Sequence, residues 1–425
     1  MKTIFRNLAF GAVMTGVALV GGTTAFAQDV CTEVEAKQVL YKQFTDNFDK
    51  TIDKKKVAVD AGKQYVQKYG ACADDKAIVD YLNANVPAME KAIRDAEAAA
   101  AKTGLYTKFD TDAKGKNVAG IFSSGKEILA KEPKFVDVAI TMAAAGFEQT
   151  LATPPVSTYN EEVITYANNV IQQIESGTIP KGYGAYSYSF VNPKFADTKS
   201  NTLGAMNYMI GFIKYFRQNQ KKEALPYFYK ATQFNSFSKT DPSVYQAIGA
   251  WYLEEAIKID KDRQAKLVAN GNKDNDETLA MVGNQKGYAD RAIDAYARAY
   301  KLAKDDKAQK KEYVDSLYTR LKELYAFRYD GKVDGIDAFV ATVQNKPMPD
   351  PTTTVTPVIE QTPATNTSSS TSSTTTVTTP TPVKISTTDA TLSGTKTSTT
   401  VTSTNATTKP KTTKPVVAPK KKGTR

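Results

Sequence analysis

The stretch Tyr245-Gln246-Ala247-Ile248-Gly249-Ala250-Trp251-Tyr252 decides how this chain is read. Tyr245, Ile248 and Tyr252 lie three and four residues apart, the spacing of one face of an α-helix. Gly249 interrupts that face with a position that has no Cβ, which lets a second helix come close. On one side, Ala224, Phe228 and Ala231 set an aromatic ring between two small residues at the same spacing. On the other, Ala292, Tyr296 and Ala299 repeat the arrangement. Small residues mark close approach, and the rings fill the space between neighbouring hairpins.

Helical periodicity extends outward from there. Val163, Ile164, Ala167, Val170, Ile171 and Ile174 follow one helix face. So do Ile78, Tyr81 and Leu82, continued by Met89, Ile93 and Ala96, and so do Tyr313, Leu317, Leu321, Leu324 and Tyr325. Breaks recur at Gly70, Gly104, Pro133, Pro154-Pro155, Gly177, Asp241-Pro242 and Gly331. This pattern predicts roughly a dozen helices paired into about six antiparallel hairpins, stacked as an α-solenoid or a compact bundle. The Gly/Tyr-rich segment from Gly182 to Tyr188 reads as a loop.

Taken in order, these motifs resemble the tetratricopeptide-repeat (TPR) family. There, helix A reads aromatic-x2-Leu-Gly-x2-Tyr and helix B reads Ala-x3-aromatic-x2-Ala. Tyr245-x2-Ile248-Gly249-x2-Tyr252 resembles the first half, and Ala224-x3-Phe228-x2-Ala231 and Ala292-x3-Tyr296-x2-Ala299 resemble the second. A preceding unit is assembled from Ile210-Gly211 with Ala224, Leu225 and Phe228. Its turn is one residue longer than the family pattern, and Asn207 and Lys214 stand where aromatics are usual. Between Tyr252 and Ala292, an insertion containing Asn270-Gly271-Asn272-Lys273-Asp274-Asn275 implies an extended helix A or an intervening loop. Fainter matches run from Val57-Ala58 through Tyr65 and at Glu132-Pro133.

The resemblance implies an all-α, TPR-like solenoid over residues 28–347. Gly211, Ala224, Phe228, Ala231, Tyr245, Ile248, Gly249, Tyr252, Ala292, Tyr296 and Ala299 would be its repeat-packing residues. It also implies a surface that holds a partner peptide or helix. Phe212 and Ala250 occupy positions where a carboxylate-clamping Asn is expected, so that clamp is not implied here.

Residues 1–27 carry Lys2 and Arg6, an apolar stretch from Leu8 to Val20, and Ala25-Phe26-Ala27. This is the layout of a secretory signal peptide, and the apolar stretch is too short for a stable membrane anchor. Val30, just before Cys31, disfavours a lipid-attachment box. Export to the periplasm, cell envelope or beyond follows as an expectation, with no membrane-spanning segment after signal removal. Cys31 and Cys72 are the two cysteines, and an oxidising compartment favours their pairing. If residues 32–49 and 52–69 form antiparallel helices, the two cysteines lie at adjacent ends. Closing that loop would contribute about 4 kcal/mol on the chain-entropy account.

The net charge of +11 is unevenly spread. Lys2 and Arg6 give +2, and residues 351–425 hold nine Lys or Arg against Glu360 and Asp389, leaving +2 for residues 28–350. A nucleic-acid reading needs a basic face on the folded part, and none is implied. Beyond Pro347, Ser, Thr and Pro dominate, so residues 348–425 are expected to stay disordered. The basic end, Lys409–Arg425, is a possible contact for anionic envelope polymer. There is no histidine, which removes His-based triads, His acid–base catalysis and the commonest metal ligand. Adjacent acids such as Glu161-Glu162 and Glu254-Glu255 do not face each other across a cleft. The sequence thus points to a non-catalytic interaction scaffold with no metal or cofactor. A structural envelope protein tethered by its tail is the alternative, and a glycan-acting enzyme stands third.

Overall fold

A computed structural model describes residues 30–180 and 197–359. Among the described residues there are thirteen α-helices and no strand. The signal-peptide assignment, the Gly182–Tyr188 loop and the basic end at Lys409–Arg425 lie outside them. The chain divides after Gly104 into two compact units, where the sequence reading treats residues 28–347 as one domain.

In the first unit, α1 (Val34–Asn47) and α2 (Ile52–Tyr69) pack against each other, and α3 (Lys76–Lys114) adds its first half. Phe44, Tyr65, Tyr69 and Leu82 are fully buried at the centre. Each such side chain contributes roughly 1.5–3 kcal/mol relative to exposure. On α3, Val79, Leu82, Val86, Met89 and Ile93 face this core. Tyr81, expected on the same face, is 44% exposed and meets Phe44 edge-on from the rim.

Helix α3 also corrects the break expected at Gly104, since it runs without interruption through Pro87 and Gly104. A glycine inside a helix costs only about 1 kcal/mol relative to alanine. The run Ala98-Ala99-Ala100-Ala101 just before it supplies the strongest helix former four times over. Residues 97–104 are exposed, and Phe109 and Ala113 then enter the core of the second unit.

That unit continues with α4 (Val118–Lys131), α5 (Val136–Thr150), α6 (Asn160–Glu175), α7 (Thr198–Phe212) and α8 (Lys221–Gln233). It ends with α9 (Phe237–Thr240), α10 (Pro242–Ala269), α11 (Asp276–Asp305), α12 (Lys311–Arg328) and α13 (Ile336–Thr342). From α4 to α8 each helix packs against the next; α10 follows α8, α11 pairs with α10 and α12, and α13 returns to α11. This order is compatible with an α-solenoid. Helix α5 is buried around most of its circumference, from Val136 to Phe147, as expected of a helix apolar on all sides. On α6 the buried side chains include Val163, Ala167, Val170, Ile171 and Ile174, five of the six positions that the periodicity selects.

Local chemistry sets the helix ends. The Asp241 carboxylate accepts the Ser243 N–H at 2.9 Å, with Pro242 in the first helical position. Asn275 and Thr278 close a reciprocal capping box at the start of α11. Gly177 (φ +103°) and Gly331 (φ +84°) follow the last turns of α6 and α12 in a left-handed conformation open to glycine.

Candidate functional site

The two hairpins singled out in the sequence, α7–α8 and α10–α11, close in the same way. A Cβ on Gly211 would lie 2.7 Å from a Phe228 ring carbon, and one on Gly249 would lie 2.7 Å from a Tyr296 ring carbon. Real Cβ contacts are essentially never that short, so the glycine is what lets each ring lie on its partner's backbone. Ala224, Ala231, Ala292 and Ala299 are fully buried, as is Ile248, and Tyr245 and Tyr252 are 7% and 2% exposed. All eleven of these predicted packing residues are therefore in the interior of the second unit.

Two irregularities noted in the sequence have structural answers. The extra residue after Gly211 is taken up by a π-helical turn, Ile213–Arg217, in which the Gln218 N–H reaches the Ile213 carbonyl at 3.0 Å. Asn207 is buried with its amide donating to the Leu203 carbonyl at 2.8 Å, and Lys214 donates to Gln220 at 2.9 Å across the turn. The insertion lengthens both helices of the second hairpin, which meet at a turn over residues 270–275. Arg263–Asp274 and Lys266–Glu277 pairs lace this end at 2.7 and 2.6 Å. Val268 and Leu279 stand on it 72% and 56% exposed.

Composition starts the tail at residue 348, yet residues 346–358 run along α11 in the opposite direction. Arg298 donates to the Lys346 carbonyl at 2.8 Å. Arg291 donates to the Asp350 carbonyl at 3.0 Å and to the Thr353 hydroxyl at 2.9 Å. The Val358 N–H donates to the Gly283 carbonyl at 2.9 Å, and a Cβ on Gly287 would fall 2.4 Å from the Thr356 carbonyl oxygen. Met348 is 7% exposed, and Val355 packs against the core. Pro residues at 347, 349, 351 and 357 keep the segment extended, and Asp350 bends it once by accepting the Thr352 N–H at 2.8 Å. The Gly283-x3-Gly287 pair on α11 is the signal that would have located this contact; the sequence reading passed over it.

Residues 346–358 thus form a strap along α11, and the electrostatics around it follow from burial. Burial raises the Asp294 carboxyl above its ordinary range, and the Arg298 bond at 2.7 Å opposes it. Burial pushes the Tyr252 phenol up to about 12, with the Arg291 charge pulling the other way. Toward the strap, Arg298 donates to one main-chain carbonyl, and Arg291 to one carbonyl and one hydroxyl.

The first unit offers a second feature. An open groove of about 630 Å³ lies between α1 and α2, lined by Val39, Leu40, Gln64, Gln67, Lys68 and Tyr69 among others. Lys68 is already paired with Glu33 at 2.5 Å. At one end of the α1–α2 pair, Cys31 and Cys72 form a disulfide with Cα atoms 5.5 Å apart. Lys37 donates to the Cys31 carbonyl at 2.5 Å and pairs with Asp75, which also accepts the Tyr65 hydroxyl at 2.8 Å. Burial raises the Asp75 carboxyl, but the Lys37 and Tyr65 bonds outweigh it and hold it below its ordinary value.

The adjacent acids go to separate partners. Glu161 accepts from Gln218 and Glu162 from Lys126, both at 2.6 Å, and Glu254 pairs with Lys221 at 2.6 Å. Among the described residues no group of three or more Cys, Asp or Glu side chains is arranged to hold a metal ion, and no helix is long and apolar enough to cross a membrane. Compared with known protein families, with curated proteins and with solved structures, the chain matches none.

Proposed function

We propose that this protein is an exported, non-catalytic scaffold that binds a partner peptide or helix on a TPR-like hairpin surface. One observation carries the reading: the α10–α11 hairpin already holds an extended segment by its main chain, which is how a peptide without regular structure is gripped. The shared closure of α7–α8 and α10–α11 supports a repeat framework beneath that surface. The disulfide suits an oxidising compartment, and the layout of residues 1–27 suits export.

The test uses the full chain with a photo-crosslinker at Val268 or Leu279, applied to envelope extract and read by mass spectrometry. A recurrent protein adduct is expected. No adduct, together with processing of a peptide or glycan library, would turn the reading toward an enzyme.

The seven net positive charges of residues 351–425 favour a second reading, in which this segment tethers the helices to anionic polymer. Deleting residues 360–425 separates the two. Tethering predicts that this deletion abolishes envelope retention, whereas the scaffold reading predicts that both retention and crosslinking survive.

A further inference from the structure

We propose that the α11 face between Gly283 and Arg298 is a peptide-recognition groove, filled in this chain by its own segment 346–358 and open to a partner segment of the same chemistry. That chemistry is an extended, Pro- and Thr-rich stretch with one methionine anchor. The inference rests on the scaffold reading and names its surface and its class of ligand.

Three observations carry it. First, recognition runs mostly through the main chain: the Lys346 and Asp350 carbonyls accept from Arg298 and Arg291, and the Val358 N–H reaches the Gly283 carbonyl. Such contacts accept any extended chain that avoids a side-chain clash. Second, α11 is cut back to receive it, since any Cβ at Gly287 would collide with the Thr356 carbonyl oxygen at 2.4 Å. An ordinary exposed helix face has no reason to forgo about 1 kcal/mol of helix propensity at such a position. Third, sequence specificity is confined to a few points. Met348 is the one side chain of the strap that is almost fully buried, and the Thr353 hydroxyl meets Arg291. Proline at four positions lowers the ordering cost of an extended ligand.

A ligand tethered in cis competes with one in trans, so apparent affinity falls by the fraction of time the groove is free. The experiment adds a fluorescein-labelled peptide of residues 345–359 to the full chain and follows its anisotropy. Wild type should bind weakly. The full chain carrying M348D and V355D, which detaches the strap, should bind at least about tenfold more tightly. Adding G287V to that variant should abolish the gain.

The proposal is overturned if the detached variant keeps its helical circular dichroism yet binds no better than wild type, or if G287V leaves its binding intact. A strap-dependent dimer of the wild-type chain in light scattering also overturns it, because the occupant would then be a second copy. Where M348D/V355D loses helical signal, V358P alone takes its place, removing the N–H that donates to the Gly283 carbonyl, with the same two readouts. This assay contains no partner protein. Its failure therefore removes the groove and leaves the scaffold reading to the crosslinking test.

Discussion

Residues 30–104 and residues 105–359 both hold helices together, by different means. The first unit is small, and its helices are secured by the Cys31–Cys72 disulfide and the buried Lys37–Asp75–Tyr65 network. The second contains neither cysteine. It relies on a long continuous core and on helix pairs brought close where a glycine faces an aromatic ring. The difference shows where crosslinks are needed. A core of fewer than about 80 residues rarely supplies more than about 3–5 kcal/mol, whereas larger cores gain buried area faster than they lose chain entropy.

The sharpest way to break this comparison is to open the disulfide. C31S/C72S, or reduction of the native chain, should cost the first unit about 4 kcal/mol for a loop closed across 41 residues. Hydrogen exchange read separately on α2 and α11 checks it. Amides of α2 should lose protection while those of α11 keep theirs. Equal loss in both would mean that the disulfide is not a local device.

Next in size is the polar network. Asp75→Ala leaves Lys37 without its buried partner and should cost the first unit about 3 kcal/mol. The pH dependence has a definite sign. Asp75 has a folded pKa held below its unfolded value, so its stabilisation is fully present above the unfolded value. It fades as pH falls from about 4 through the folded value. Acid titration of denaturant midpoints should show this loss in the wild type and its disappearance in Asp75→Ala.

Much of the architecture was legible because it depends on local periodicity. Leu317, Leu321 and Leu324 declare the buried face of α12, and Gly249 with Tyr296 shows up as one missing side chain opposite one large ring. Cys31 and Cys72 were readable because two helices of similar length fix where their ends meet. Other features depend on contacts that pattern does not encode. The Gly104 break failed because a single glycine is outweighed by neighbouring alanines. The strap was missed because Pro and Thr composition says how a segment behaves alone, and its position here is set by Arg291, Arg298, Gly283 and Gly287 on a distant helix.

The smallest expected effects are the most discriminating, because they assign opposite signs to one class of residue. Gly249 and Gly104 both lie inside helices. At Gly249 a side chain meets Tyr296 at 2.7 Å and the Ala295 Cβ at 3.3 Å, neither free to swing away in a packed hairpin. Gly249→Val should therefore cost the second unit about 2 kcal/mol through overpacking. At Gly104 nothing lies within 4 Å of the added Cβ, and the surrounding α3 residues 97–104 are exposed. Gly104→Ala should then gain helix propensity, raising protection of the neighbouring α3 amides by up to about 1 kcal/mol. Native-state hydrogen exchange over residues 98–110 reads this directly. Lower protection in the alanine variant would show that Gly104 serves a local irregularity of α3 and is not merely a tolerated glycine.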